Sequence, residues 1–129
     1  MKKYKFLIVD DIFSNQLLLI SIIESTGNEY KVASDGKKAV AALEAEDFDI
    51  ILMDIEMPVM NGIETAKYIR ENFEEPKKSI PIFALTAHNK FEFFDNINTA
   101  GFTEFLSKPY SLERFRNLIQ KYIDKNENL

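Results

Sequence analysis

Four strand-length runs in this 129-residue chain end on side chains that together make a chemical set. Phe6 to Val9 stops at Asp10 and Asp11, Ile50 to Met53 at Asp54, Ile82 to Leu85 at Thr86, and Glu104 to Leu106 leads to Lys108-Pro109. Three carboxylates brought together repel, and one pair at about 4 Å costs on the order of 4 kcal/mol at an effective dielectric near 20. An all-oxygen cluster without His or Cys selects a hard cation, and Mg²⁺ is the natural choice where phosphate is handled. Lys108 offers a mobile positive charge and Thr86 a hydroxyl donor, both suited to phosphoryl oxygens. Neither G-x-x-x-x-G-K nor G-x-G-x-x-G occurs, so no bound nucleotide is expected. The chain has no cysteine, so a thiol nucleophile is excluded. A carboxylate that forms an acyl phosphate remains. Asp54, alone at its strand end, is the best candidate, whereas the Asp10-Asp11 pair suits metal holding.

Such a set works only if the runs lie side by side. In open parallel sheets, ligands bind beyond the carboxyl ends of the strands, where strand order reverses. The punctuation of the chain predicts this arrangement. Strands are expected at Phe6–Val9, Tyr30–Ala33, Ile50–Met53, Ile82–Leu85 and Glu104–Leu106, with Pro81 at the entry to the fourth. Ser14 is placed to cap a first helix from about Asn15 to Ser25, closed by Gly27. Asp35-Gly36 opens a second helix that ends near Glu46, and a third follows Asn61-Gly62 with Ile63, Ala66, Ile69 and Phe73 at helical spacing. Phe91, Phe94 and Ile97 mark a fourth that runs to Gly101. Ser111 caps a fifth carrying Leu112, Phe115, Leu118, Ile119 and Tyr122, and Asn126 to Leu129 reads as a tail. Strands apolar throughout are buried on both faces, so the fold class is α/β: a three-layer sandwich with a parallel sheet between helices.

Composition narrows the setting. The length suits one domain, with a core large enough to need neither disulfides nor structural zinc. Sixteen Lys and Arg stand against 21 Asp and Glu, a net charge of −5, which disfavours direct binding to a nucleic-acid backbone. No run approaches the roughly 18 to 20 apolar residues of a membrane span, and the basic start Met1 to Lys5 precedes an apolar run too short for a signal peptide. A cytoplasmic domain with no membrane insertion is the expectation.

The segments Leu7-Ile8-Val9-Asp10-Asp11, Ile51 to Gly62, Ile82-Phe83-Ala84-Leu85-Thr86-Ala87 and Leu106-Ser107-Lys108-Pro109 resemble the receiver domains of two-component response regulators. These are the phosphoacceptor half of bacterial histidine-to-aspartate signalling. The resemblance runs from about Tyr4 to Ile123 and implies a single receiver over 1–129 with a flavodoxin-like sheet of order 2-1-3-4-5 and five helices. It implies that Asp54 accepts phosphate from a phosphohistidine of a histidine kinase or histidine phosphotransfer protein. Mg²⁺, for which Mn²⁺ can stand in, would be held by Asp11, Asp54 and the main-chain carbonyl of Glu56, with Asp10 acting through water. Lys108 and the metal would stabilise charge on the transferring group. Thr86 and Phe105 would then move as a switch that alters the surface around the fourth helix, last strand and fifth helix. The Lys108-Pro109 bond is usually cis in this family. Glu56 and His88 occupy the positions that tune dephosphorylation. A monomer or weak, phosphorylation-dependent dimer is the expectation.

Simpler readings compete at several positions: core packing for Phe105, Phe91 and Phe94, and an exposed helix start for His88. Phe93 falls by spacing on the outer side and is a candidate partner contact. The first helix has more apolar residues than one buried stripe needs, and Asn15 and Leu18 are candidates for docking the phosphohistidine-bearing helix, with burial as the competing reading. Among functions, the alternative is a Mg²⁺-dependent phosphohydrolase working through an aspartyl-phosphate. The Asp-x-Asp signature of haloacid-dehalogenase-type enzymes is absent, since Ile12 and Phe13 stand where it needs an acid. A phosphorylation-independent module would be expected to lack one of the acids or the lysine, and all are present. The Asp-Asp-Ile-Phe-Ser-Asn-Gln and Ala-Leu-Thr-Ala-His stretches look like receivers of hybrid histidine kinases, while Met1 and the lack of an output domain fit a stand-alone regulator equally well.

Overall fold

The computed structural model describes residues 3–86, 101–107 and 111–127. Five strands, β1 (Lys5–Val9), β2 (Glu29–Ala33), β3 (Ile50–Asp54), β4 (Ile82–Thr86) and β5 (Glu104–Ser107), form one parallel sheet in the order β2-β1-β3-β4-β5. Among the described residues four α-helices cover it: α1 (Phe13–Ser25), α2 (Gly36–Ala45), α3 (Gly62–Asn72) and α4 (Leu112–Glu127). The C-terminal helix therefore extends into the stretch expected as a tail. The helix expected around Phe91, Phe94 and Ile97 lies outside the described residues, as do His88, Phe93, Lys108 and the Lys108-Pro109 bond.

The layers follow from the period-two alternation of a strand. Phe6 and Ile8 of β1 join Leu52, Phe83 and Leu106 in a cluster closed by Leu19, Ile22 and Ile23 of α1 and by Phe115 and Ile119 of α4. The intervening Leu7 and Val9 join Ile51, Met53 and Ile82 beneath Ala39 and Leu43 of α2 and Ala66 and Ile69 of α3. Every residue of β3 and β4 is buried, as a strand covered on both faces requires. Each fully buried Leu, Ile or Phe side chain contributes roughly 1.5–3 kcal/mol against the entropy of ordering the chain. Tyr122 of α4 adds an edge-on contact with Phe83 at 5.0 Å and donates its hydroxyl to Glu104 of β5 at 3.2 Å.

Helix starts show how local chemistry sets the boundaries. Asp35 caps α2 by accepting from the Lys38 amide, and Ser111 caps α4 by accepting from the Arg114 amide. Asn61 and Glu64 form a reciprocal capping box at α3. The first helix departs from expectation. It begins at Phe13 after Ile12, with no side-chain cap, and Ser14 lies exposed inside its first turn. The physical reason is the preceding acid: the Asp10 carboxylate accepts from the Ile12 amide at 2.9 Å, which closes the turn two residues before a serine cap could act.

At the opposite end of the sheet, charges pair. Lys5 and Lys31 both reach Glu46, and the Lys5 ammonium also lies 5.2 Å from the centre of the Phe48 ring. Arg70 of α3 donates to the Gly101 carbonyl at 2.8 and 2.9 Å and to the Lys78 carbonyl at 2.8 Å, which ties α3 to the entry of β5.

Candidate functional site

Strand order reverses between β1 and β3, since the chain leaves β1 for β2 on one side and returns to β3 on the other. Val9 pairs in register with Met53, so the residues that follow, Asp10-Asp11 and Asp54, emerge side by side at the carboxyl rim. One carboxylate oxygen from each of Asp10, Asp11 and Asp54 lies within 4.8 Å of the others. The three differ in setting: Asp10 is 0% and Asp54 4% exposed, while Asp11 faces solvent. The cluster thus has a buried floor and one open side, by which a ligand could enter.

Each acid is placed by its backbone. Asp10 donates its amide to the Ala33 carbonyl at the end of β2, accepts from the Ile12 amide, and accepts on its own carbonyl from Gln16 Nε2 at 2.6 Å. Asp54 ends β3, and its Oδ1 accepts the Glu56 amide at 3.4 Å. Glu56 itself is exposed, and its backbone amide meets the acid at the rim. Gly62 donates its amide to the Ile55 carbonyl, and a β-carbon on Gly62 would come within 2.8 Å of Ile55 Cα. The start of α3 is thereby pressed against the strand end that carries Asp54, and only glycine permits that approach.

Thr86 ends β4, fully buried, in register with Ser107 of β5. Phe105 is half-buried and packs against the small cluster of Ile55 and Ala84, beneath the loop after Asp54. It is neither a fully enclosed core residue nor a solvent-facing one. Lys108 and His88 fall outside the described residues. Of the docking candidates, Leu18 is 41% exposed and Asn15 is half-buried, while Leu19, Ile22 and Ile23 take the core. The surplus of apolar residues in α1 is therefore real surface.

Three features escaped sequence reasoning. Phe13 and Val59 are the most exposed large apolar residues described, at 71% and 72%, and both flank the acids. Val59 also has φ +70, and the Met60 amide bonds the Pro58 carbonyl across it, a γ-turn of the strained, positive-φ kind. A β-branched residue there costs on the order of 1–3 kcal/mol, a strain no periodicity announces. The third is Gln16, whose bond to the strand-end carbonyl depends on the uncapped start of α1. The only available signal was its place one helical turn beyond Ile12.

The donor set fits a hard cation: oxygen only, three negative charges, one open face. A family model described as the response regulator receiver domain matches residues 6–120. The chain belongs to that family. Receiver neighbours among solved structures share the architecture. The receiver domain of sensor histidine kinase PA1611 from Pseudomonas aeruginosa is 30% identical, with a TM-score of 0.85 over 95% of this chain and 99% of that one, and holds magnesium in its active-site cleft. Chemotaxis protein CheY4 of Vibrio cholerae is also 30% identical, with a TM-score of 0.84 over 94% of this receiver and 99% of that chain. Hybrid signal transduction histidine kinase K of Dictyostelium discoideum is 36% identical over 97% of this receiver, and sensor protein GacS of Pseudomonas syringae 34% identical over 92%. The receiver spans only 11% and 13% of those two proteins. The expectation of a two-component receiver similar to those of hybrid histidine kinases is thus met, and the acidic cluster fits the phosphoacceptor site. Among the described residues, no helix is long and apolar enough to cross a membrane.

Proposed function

We propose that Asp54 is the phosphoacceptor of this receiver and that the Asp10-Asp11-Asp54 cluster binds Mg²⁺ to permit the transfer. The observation that carries the reading is the convergence of three carboxylates within 4.8 Å at the reversal point of the sheet. In the reaction, an Asp54 carboxylate oxygen forms a bond to phosphorus as the bond from phosphorus to a partner histidine nitrogen breaks. The nitrogen keeps the electron pair, and the imidazole leaves neutral or protonated from solvent. Asp11, Asp54 and the Glu56 carbonyl would hold the metal, with Asp10 acting through water. When bound, Mg²⁺ supplies positive charge that offsets the acids and the phosphoryl oxygens. The chain's own part is positioning: β1 and β3 present the acids, and the Glu56 amide bond orients Asp54. Lys108 is assigned the second positive charge.

Phosphorylation adds about −1.5 to −2 of charge at pH 7. Thr86 on β4 lies one strand from Asp54 and Phe105 on β5 lies two, and we assign them the response, with Glu56 and His88 tuning the lifetime of the phosphoryl group. The altered surface would lie around the sequence-predicted helix near 91–101, β5 and α4. The donor is a histidine kinase or histidine phosphotransfer protein, met through the exposed side of α1, where Leu18 and Asn15 are joined by Phe13. The reading places one receiver over 1–129 in the cytoplasm, without nucleic-acid contact, as a monomer or weak phosphorylation-dependent dimer, with Mn²⁺ able to replace Mg²⁺.

Acetyl phosphate with Mg²⁺ tests the assignment without a partner. Intact-mass measurement should show one phosphate gained by the wild type and none by Asp54→Asn. Full labelling of Asp54→Asn, or no labelling of the wild type, sinks the assignment.

A further inference from the structure

The turn between β1 and α1 is built without the device that starts the other three described helices. Each of α2, α3 and α4 has a side-chain cap, whereas α1 follows Ile12 with none. Stability of this turn comes instead from bonds converging on Asp10. Its amide donates to Ala33 at the end of β2, its carboxylate accepts from the Ile12 amide, and its carbonyl accepts from Gln16 Nε2 at 2.6 Å. The backbone amide of Gln16 in turn donates to the Ile12 carbonyl at 3.0 Å. Gln16 thus closes a ring that returns from the first turn of α1 to the Asp10–Asp11 peptide just beyond β1.

We infer that Gln16 is a positioning residue for the cation site: its side-chain amide holds the Asp10–Asp11 turn in the shape that brings the acids to one point. The inference rests on the reading of Asp10, Asp11 and Asp54 as the Mg²⁺ site. Asp11 carries the consequence. It is exposed, so its place is set by the backbone on either side rather than by enclosure of its side chain. Asp10 is immobilised from three directions, and the adjoining peptide inherits that order. Without the Gln16 bond, the Asp10 carbonyl loses this donor and the peptide joining the two acids can rotate. A metal site tolerates little of this, because outer partners that orient ligands typically contribute 10- to 100-fold to affinity. Gln16 does not touch the metal in this account; it acts through Asp10.

The test is a calorimetric Mg²⁺ titration of the full chain as wild type, Gln16→Met and Gln16→Asn. Methionine keeps the length and loses the donor, while asparagine keeps the amide but lacks the reach. Both variants should bind Mg²⁺ about tenfold more weakly, with faster apo-state amide exchange at Ile12 and Phe13. Wild-type affinity in both variants overturns the inference and leaves the cation site standing, including when their melting temperature falls. A wild type that binds no Mg²⁺ overturns the site reading and this inference with it.

Discussion

The two rims of the sheet treat charge in opposite ways. At the amino rim, Glu46 lies between Lys5 and Lys31, and Lys77 stands 3.7 Å from Asp47 and donates to the Leu43 carbonyl. At the carboxyl rim, three acids share a space of 4.8 Å, and the neighbouring loop holds Val59 at positive φ. The same sheet, with the same apolar interior, supports both. Opposite charges at one rim add a modest stabilisation, because exposed pairs are screened. Like charges at the other must be held by the rest of the fold. A site that gathers like charge gives up local stability for a strong response to a cation.

The hardest test of that contrast concerns the backbone that holds the acid rim together. Gly62→Ala forces a β-carbon against Ile55 at the end of β3, and overpacking of this kind costs about 2–3 kcal/mol. The melting temperature should fall by about 10 °C. Loss of phosphorylation by acetyl phosphate should exceed what unfolding explains at a temperature where the variant is folded. An unchanged melting temperature would show that the Gly62 approach can relax.

A middle-sized effect should have the opposite sign. Asp11→Ala removes one of three like charges, and because Asp11 is exposed the relief is about 1 kcal/mol or less. Apo protein should melt about 3–5 °C higher, while the stabilisation that Mg²⁺ gives the wild type disappears. A variant that melts lower and still responds to Mg²⁺ would remove Asp11 from the cluster.

The smallest effect belongs to the amino rim. Hydrogen bonds from Lys31 and then Lys5 hold the Glu46 carboxyl below its ordinary value of 4.5, against a smaller opposing effect of desolvation. A group whose folded pKa is lowered stabilises the fold above the unfolded pKa, and that contribution is lost as pH falls through the folded value. The melting temperature of the wild type should therefore fall on acidification below about pH 4.5, and Glu46→Gln should flatten that limb by lowering it slightly at neutral pH while leaving it unchanged in acid. An identical acid limb in both proteins would mean that the paired rim adds nothing.

The acids were legible in the sequence because a buried strand is a continuous apolar run, and a charge that interrupts it must lie at its end. The same logic gave Thr86, and capping chemistry gave Asp35 and Ser111. Ser14 misled for a physical reason: a capping propensity describes what a residue can do locally, and here a carboxylate from the preceding strand acted first. The exposure of Leu18 beside buried Leu19 was half-legible, as an excess of apolar residues without a direction. Val59 was not legible at all, and Gln16 only as a position one helical turn beyond Ile12. Their roles rest on a side chain folding back to a strand and on a loop forced to turn between fixed ends.

What the sequence determined by itself is the set of strands, their burial on both faces and the residue types at their ends, because hydrophobic period and charge are local properties. It determined the family as well, since the motifs that carry the chemistry are contiguous. Only the tertiary structure decided that Asp10 is enclosed while Asp11 is open, that the three acids meet within 4.8 Å, and that α1 begins without a cap. The uncapped start follows from the turn that the Asp10 carboxylate closes on the Ile12 amide. The meeting of the acids and the enclosure of Asp10 are consequences of register between β1 and β3 and of packing on both faces, and the register joins residues more than 40 positions apart, which no window of sequence contains.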